Sequence, residues 1–418
     1  MGQLVQAIPF AGVLLSFAVF PGLFPRLWHR RMAAIIGSFV ALYLALNASV
    51  SSADHAIAEL WQVTLAEFLP FILLLLALYA LGGGIGIKGG PWGRPAGNCL
   101  LLVIGSFLAS IMGTIGASLL LIHPLLAANA HRRETRHLVL AFIILIGNAG
   151  GALSPLGDPP LLVGFLRGVP FLWPLLHLWG PLLLLAVPVL ALCTAIDFYL
   201  ARREPSPRLQ PFRIRGRVNI TLLVLLCAVI PLEGVWHPGD VEMLGARIAG
   251  EHLAVMLLEV GCISLSEWRT PRAIRNQNRF AWSAMREIII LFFAVFATIA
   301  PAFRLLQSAH LAPMPLAWFW ASGIASAVLD AAPTYLVFFQ AAGGDAAALI
   351  KPPAHLLSAL AAGSVFFGPV TYLGNAPNLM IRAIASRRGV RMPGFFSYSG
   401  IMILLLTPIF GLMGILFF

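Results

Sequence analysis

No α-helix runs unbroken through Gly147-Asn-Ala-Gly-Gly-Ala-Leu-Ser-Pro-Leu-Gly-Asp-Pro-Pro160, yet this stretch lies inside one long apolar segment, Leu138 to Val169. Pro155, Pro159 and Pro160 lack a backbone donor, and the four glycines weaken a helix by their backbone freedom. The pattern predicts a break over residues 150–157. It also predicts a restart with Asp158 as N-cap and Pro159 in the first turn. In lipid, irregular backbone is tolerated only where it is buried in protein or lines a cavity, and broken helices are where transporters hold ions and substrates.

The second half of the chain repeats the device. Ser154-Pro-Leu-Gly-Asp-Pro-Pro160 aligns with Thr371-Tyr-Leu-Gly-Asn-Ala-Pro377, which sets Gly157 against Gly374 and Asp158 against Asn375. Upstream lie two more interrupted apolar stretches, residues 106–118 and 322–334. Matching side-chain types pairs Thr114 with Asp330 and Ser118 with Thr334, at spacings to the second motif that differ by one residue. Two unlike motifs recurring in order read as an internal duplication.

Composition sets the solvent. The 418 residues are 60% hydrophobic and only 10% charged, with a mean hydropathy of +0.91. Such a chain is an all-α integral membrane protein. The net charge of +11 does not imply nucleic acid, because the basic residues fall in short clusters between apolar runs. Cys99, Cys193, Cys227 and Cys262 are isolated and frame neither a disulfide set nor a metal site. The first apolar run has no basic residue before it and is expected to be a span, not a cleaved signal peptide.

Spans are expected at 8–25, 32–50, 66–84, 138–166, 172–198, 218–236, 250–267, 287–303, 354–386 and 395–418. The stretches 98–127 and 314–342 could each be a crossing or a re-entrant hairpin, and charge decides between them. With both as hairpins and the N-terminus outside, all but four of the 27 Lys and Arg face the cytoplasm, the exceptions being Arg167, Arg247, Arg304 and Lys351. With both as crossings, the clusters at 202–217 and 269–286 would face outward. The expectation is about ten transmembrane helices with two opposed re-entrant hairpins. A first repeat (1–200) would be joined by a basic cytoplasmic linker (201–217), which includes Arg208, to an inverted second repeat (218–418). Inverted repeats with a site at their interface form a secondary-transporter architecture. The expected location is the inner (plasma) membrane, with the lipid bilayer as surroundings.

Symmetry brings the breaks together. The hairpin tips offer Thr114, Ser118, Asp330 and Thr334, and the broken helices offer Asn148, Ser154, Asp158, Thr371, Asn375 and Asn378. A carboxylate deep in a span costs about 2.5–3.5 kcal/mol on insertion scales, and only Asp158 and Asp330 lie at the breaks. Hydroxyls, amides and freed carbonyls beside a carboxylate suit a hard cation such as Na⁺. A carboxylate able to hold either a proton or a cation supplies the minimum chemistry of an antiporter, so Asp158 and Asp330 are the expected proton carriers. No resident cofactor or metal is expected beyond the transported ion. Elsewhere, Asp197 reads as an interface residue beside Arg202, and Glu259 is a candidate proton relay. His123 and His177 read as satisfied interface groups.

The motif at 147–160 resembles the first broken-helix motif of the ion-transporter superfamily. That group comprises NhaD-type sodium:proton antiporters, arsenite permeases, citrate–metal symporters and dicarboxylate carriers. Leu329-Asp-Ala-Ala-Pro-Thr-Tyr335 and Thr371-Tyr-Leu-Gly-Asn-Ala-Pro-Asn378 resemble its second-half motifs. The nearest pattern is a bacterial branch named variously as sodium:proton antiporters or citrate transporters, and the resemblance covers residues 60–418. It implies a homodimer. Two departures matter. Ala331 replaces the Asn of the usual Asp-Asn-Ala-Pro-Thr, and the Ser-Asn-Thr tips of dicarboxylate carriers are absent, which leaves more cation-type than anion-type ligands.

Cation/proton antiport is therefore the leading expectation. Symport of citrate or a similar anion is the alternative, followed by an arsenite or oxyanion permease. A membrane-embedded enzyme is disfavoured because neither Gly-x-Ser-x-Gly nor His-Glu-x-x-His occurs. A channel is disfavoured because opposed hairpins suit alternating access.

Overall fold

The two breaks shape the whole architecture. The computed structural model describes residues 2–204, 210–308, 314–351 and 355–418, so Arg208 of the linker lies outside the described residues. Among those residues, seven helices are long and apolar enough to cross a membrane: Arg30–Val50, Ala53–Gly83, Pro95–Met112, Arg136–Leu153, Trp173–Ala201, Arg217–Gly234 and Phe395–Phe417. Shorter apolar helices include Thr114–Ala128 and His355–Val370, which are mostly buried, and Pro315–Leu329, which exposes Ile324 and Val328. The chain is a helical, multi-pass membrane protein. Long spans expose large apolar side chains such as Leu183, Leu404 and Ile415, as a lipid-facing surface requires.

Two features depart from the all-helical expectation. Gly86–Gly90 pairs antiparallel with Gln210–Arg215, so part of the basic linker forms a ribbon with the loop after the third span. Asp240–Met243 pairs with Ala246–Ala249 in a second ribbon. The expected span 287–303 is also interrupted, as Ser283–Thr298 followed by Ala300–Ser308.

Each interrupted stretch upstream of a broken helix folds as a helical hairpin. Pro95–Met112 and Thr114–Ala128 are separated only by Gly113, with φ 79° and ψ 150°. Pro315–Leu329 and Ala331–Ala341 are separated only by Asp330, with φ 82° and ψ 148°. The two corners share one backbone conformation, in the left-handed half of φ space that glycine adopts freely. This corrects the pairing by side-chain type: Asp330 matches Gly113, and Thr114 matches Ala331. Gly113 then stands as far before Asp158 as Asp330 stands before Asn375, and the one-residue mismatch disappears. Asp330 holds the glycine-like geometry by accepting a hydrogen bond from the Ala332 N–H.

Packing is reciprocal between the halves. Each hairpin's first arm packs on its own broken helix. Each second arm packs on the restarted half of the other one: Thr114–Ala128 against Ala376–Arg387, and Ala331–Ala341 against Pro159–Leu166.

A buried polar network fastens the base of the first hairpin. Asp197 (1% exposed) accepts from Asn98 Nδ2 at 2.9 Å, lies 3.0 Å from His137 Nε2 and pairs with the buried Arg132. Asn129, at the end of the second arm, joins through Asn98. Asp197, read as an interface residue, is thus paired with Arg132 in the loop between Thr114–Ala128 and Arg136–Leu145.

Candidate functional site

The first broken helix runs Arg136–Leu145, turns through the 3-10 segment Ala149–Leu153, and restarts as Pro159–Leu166. Its counterpart runs His355–Phe366, Gly368–Val370 and Ala376–Arg387. In each, a hydroxyl fixes the break to the hairpin. Ser154 Oγ donates to the Ser110 carbonyl and accepts from Leu156 N–H. Thr371 Oγ1 donates to the Ala327 carbonyl at 2.5 Å and accepts from Leu373 and Gly374. Ser154 and Thr371 thus hold backbone, with their hydroxyls directed at the hairpins. Ser110 adds a second lock, donating to the Gly150 carbonyl at 2.5 Å and accepting from Leu153 N–H. Ser326 does the same toward the Ser364 carbonyl at 2.6 Å. Neither serine was singled out from the sequence, although both lie in the interrupted stretches about one helical turn before the corner.

Close backbone approach completes the lock. A Cβ on Gly157 would fall against the Gly151 carbonyl, and one on Gly374 against the Gly368 carbonyl. The Gly157 carbonyl accepts from the Thr114 N–H at 2.9 Å, which ties the hairpin corner to the break.

These constraints bring Asp158 to the meeting point of the two broken helices. It occupies the N-cap position of Pro159–Leu166 with extended backbone, but its side chain does not cap that helix. Oδ1 instead receives Thr114 Oγ1 at 3.4 Å and, from the second broken helix, Asn375 Nδ2 at 3.2 Å. Oδ2 is buried without a partner. An ionised carboxylate accepts about four hydrogen bonds; Asp158, 1% exposed, takes two, both long. Coordinating capacity is therefore left over in a buried place. A cavity of about 20 Å³ lies beside it, bounded by Tyr79, Met112, Thr114, Gly157 and Asp158. That is room for about one water-sized particle.

The other candidates divide. Asn148 donates to Asn378 Oδ1 at 2.8 Å and to the Ile143 carbonyl, and Asn378 donates to the carbonyls of Gly368 and Thr371. This pair forms a second bridge between the two broken helices. Asn375 also reaches the Gly147 carbonyl at 3.4 Å. Ser118, one turn along from Thr114, is fully buried with an unpartnered hydroxyl. Thr334 bonds back to the Asp330 carbonyl at 2.8 Å, within its own corner. Asp330 is buried and within electrostatic reach of Asp158, but shares no hydrogen bond with it. Thr114, Asp158 and Asn375 each stand at the start of a helix, so three helix N-termini converge here. Their partial positive charge favours negative charge at this point.

Away from the breaks, His177 Nδ1 lies 2.9 Å from the Trp173 carbonyl, as a satisfied group should. His123 is buried with its ring against the Asn278 backbone, without a hydrogen bond of strict geometry on either nitrogen. Glu259 is 1% exposed with Oε2 unpartnered, inside Gly250–Arg269.

No curated protein matches the chain. A family model matches residues 2–418, almost the full length, and by that match the chain belongs to the transporter family described as "Putative citrate transport".

Proposed function

We propose that this protein is a secondary active transporter exchanging a monovalent cation, Na⁺ foremost, for protons at Asp158. The observation that carries this reading is the Asp158 carboxylate, buried between the repeats, loosely held by Thr114 and Asn375, with one oxygen unpartnered. The adjoining 20 Å³ cavity suits a dehydrated ion or a proton, and is far too small for an organic acid. Asn375, the counterpart of Asp158, carries no charge, so one site serves one exchangeable positive charge. Asp330 would modulate the site by its charge. In this reading the protein crosses the inner membrane ten times with its N-terminus outside. The hairpins enter from opposite faces, and rocking of one repeat against the other exposes Asp158 alternately.

A second reading, symport of citrate or a similar organic anion, draws on the family to which the chain belongs. It also draws on the three convergent helix N-termini, which suit a substrate carboxylate. In that case Asp158 would hold the coupling cation.

Proteoliposomes carrying an imposed pH gradient separate the two. Antiport predicts proton flux on adding Na⁺ or Li⁺ alone. Flux that requires citrate and is absent with Na⁺, Li⁺ or K⁺ alone would refute antiport in favour of symport.

A further inference from the structure

Arg167 closes the half-helix that begins at Asp158. It directly follows Pro159–Leu166, and its backbone N–H bonds to the Val163 and Gly164 carbonyls. That half-helix is about 12 Å long. A cation at its C-terminal end also complements the helix dipole.

Two irregularities in other helices build the seat this side chain occupies. Ala53–Gly83 widens at Thr64–Phe68, where the Leu69 N–H reaches back five residues to the Thr64 carbonyl. Such π-turns inside helices are frequent at functional sites. This one carries Glu67, whose Oε2 lies 2.5 Å from Arg167 Nη2. The second irregularity is the interruption between Ser283–Thr298 and Ala300–Ser308. Phe303, just past it, has its ring centre 5.3 Å from the Arg167 guanidinium. The two sides of the seat are packed together, since Phe68 meets Phe293 and Phe296 edge-on at 5.4 and 6.3 Å. Pro159–Leu166 itself packs on Ala331–Ala341, so a movement of the second hairpin carries Arg167 with it.

The exposure of this ion pair suits it to opening. The side chains of Arg167 and Glu67 are 22% and 42% exposed, and a pair so placed is screened and weak. Breaking Arg132–Asp197, 1% exposed on both sides, would leave a charge buried without its counterion. Breaking Glu67–Arg167 leaves two charges that water can reach.

We propose that Arg167 is a positioning residue and its seat a latch. Docked on Glu67 and Phe303, it holds the Asp158 half-helix in the position described, and it leaves the seat in the step that exposes the ion site to the other side of the membrane. The inference rests on Asp158 being the site of a transported ion, in antiport or in symport. A latch shifts such an equilibrium because its contacts exist in one state and not in the other.

The test combines Glu67→Cys with Arg167→Cys in protein whose Cys99, Cys193, Cys227 and Cys262 are replaced by serine. Flux into proteoliposomes is measured before bridging with a short bis-methanethiosulfonate reagent, after it, and after reduction. The probe is Na⁺-triggered proton flux, or citrate uptake where Na⁺ alone gives none. Bridging should lower flux roughly tenfold or more, and reduction should restore it. Unchanged flux in the bridged protein would show a static brace and overturn the proposal. Glu67→Gln and Arg167→Gln, at partly exposed positions that leave the fold intact, give a second measurement should the cysteine pair be inactive. Each should shift the half-saturating ion concentration by about threefold or more. The double variant should shift it no further than either single one, and Arg167→Lys by less than about twofold. Shifts that multiply in the double variant, or none in the single variants, also overturn the proposal. Wild type that moves neither probe fails the transport reading itself, and the latch with it.

Discussion

Replacing Asn378 with Ala removes the link through which the first broken helix grips the second. The Asn378 amide accepts from Asn148 Nδ2 at 2.8 Å and donates to the carbonyls of Gly368 at 2.9 Å and Thr371 at 3.0 Å. Asn148 and Asn378 are both 0% exposed, and only the bond to Thr371 is part-buried. A hydrogen bond between membrane helices contributes about 0.6 kcal/mol on average and about 1.7 at most. Three such bonds give roughly 2 kcal/mol, and unpaired carbonyls left in a dry interior raise the loss toward about 4. Asn148→Ala loses the shared bond and its own bond to the Ile143 carbonyl, a smaller sum. The assay is reversible unfolding in mixed micelles, followed by Trp fluorescence, on wild type, both single variants and the double variant. The double variant should be less destabilised than the sum of the singles by about 0.6–1.7 kcal/mol, the coupling of one shared bond. Additive losses, or a loss below about 0.5 kcal/mol in Asn378→Ala, would refute the claim that this pair joins the two broken helices.

Four further outcomes follow from the same geometry. Gly157→Ala drives a methyl into the Gly151 backbone, where nothing flexible can yield, and should cost about 1–3 kcal/mol and abolish transport. Gly400→Ala, with nothing within 4 Å, should match wild type in the same unfolding and flux measurements. Thr114→Val keeps the side-chain shape but removes a donor to Asp158; it should raise the half-saturating cation concentration roughly tenfold in flux titrations, with stability changed by less than about 1 kcal/mol. Asp197→Asn leaves the Arg132 charge buried without its counterion, and should lower unfolding stability by about 3–5 kcal/mol with little effect on cation affinity in protein that remains folded.

The breaks themselves were legible because glycine and proline cluster there; a lone proline such as Pro124, Pro181, Pro188 or Pro408 is carried inside a helix. The restart at Asp158 and Pro159 could be read for the same reason. What the Asp158 carboxylate does was not legible from capping rules, which point it back at its own helix; the structure turns it toward Thr114 and Asn375. The hairpin register was misread by one residue because matching side-chain types favoured Thr114 over Gly113 as the partner of Asp330. Backbone conformation decides that correspondence, and Gly113 and Asp330 reach it by different means, one through lacking a side chain and one through a bond to Ala332. Long-range pairings left no local signal. Asp197 with Arg132, and the glycine-rich Gly86–Gly90 with Gln210–Arg215, join residues far apart in sequence that follow no shared periodicity. Ser110 and Ser326 were missed because a serine in an apolar helix carries no mark of what its hydroxyl will meet.

The central claim is that Asp158 is where a cation and a proton exchange. The most direct measurement is pH-gradient dequenching in inside-out vesicles, comparing wild type with Asp158→Asn, expressed to equal levels, on addition of Na⁺. The account predicts cation-triggered proton flux in wild type and none in Asp158→Asn, since the amide keeps the shape but can neither lose a proton nor balance a cation. Flux of equal size in the variant would contradict it and move the exchange away from this carboxylate.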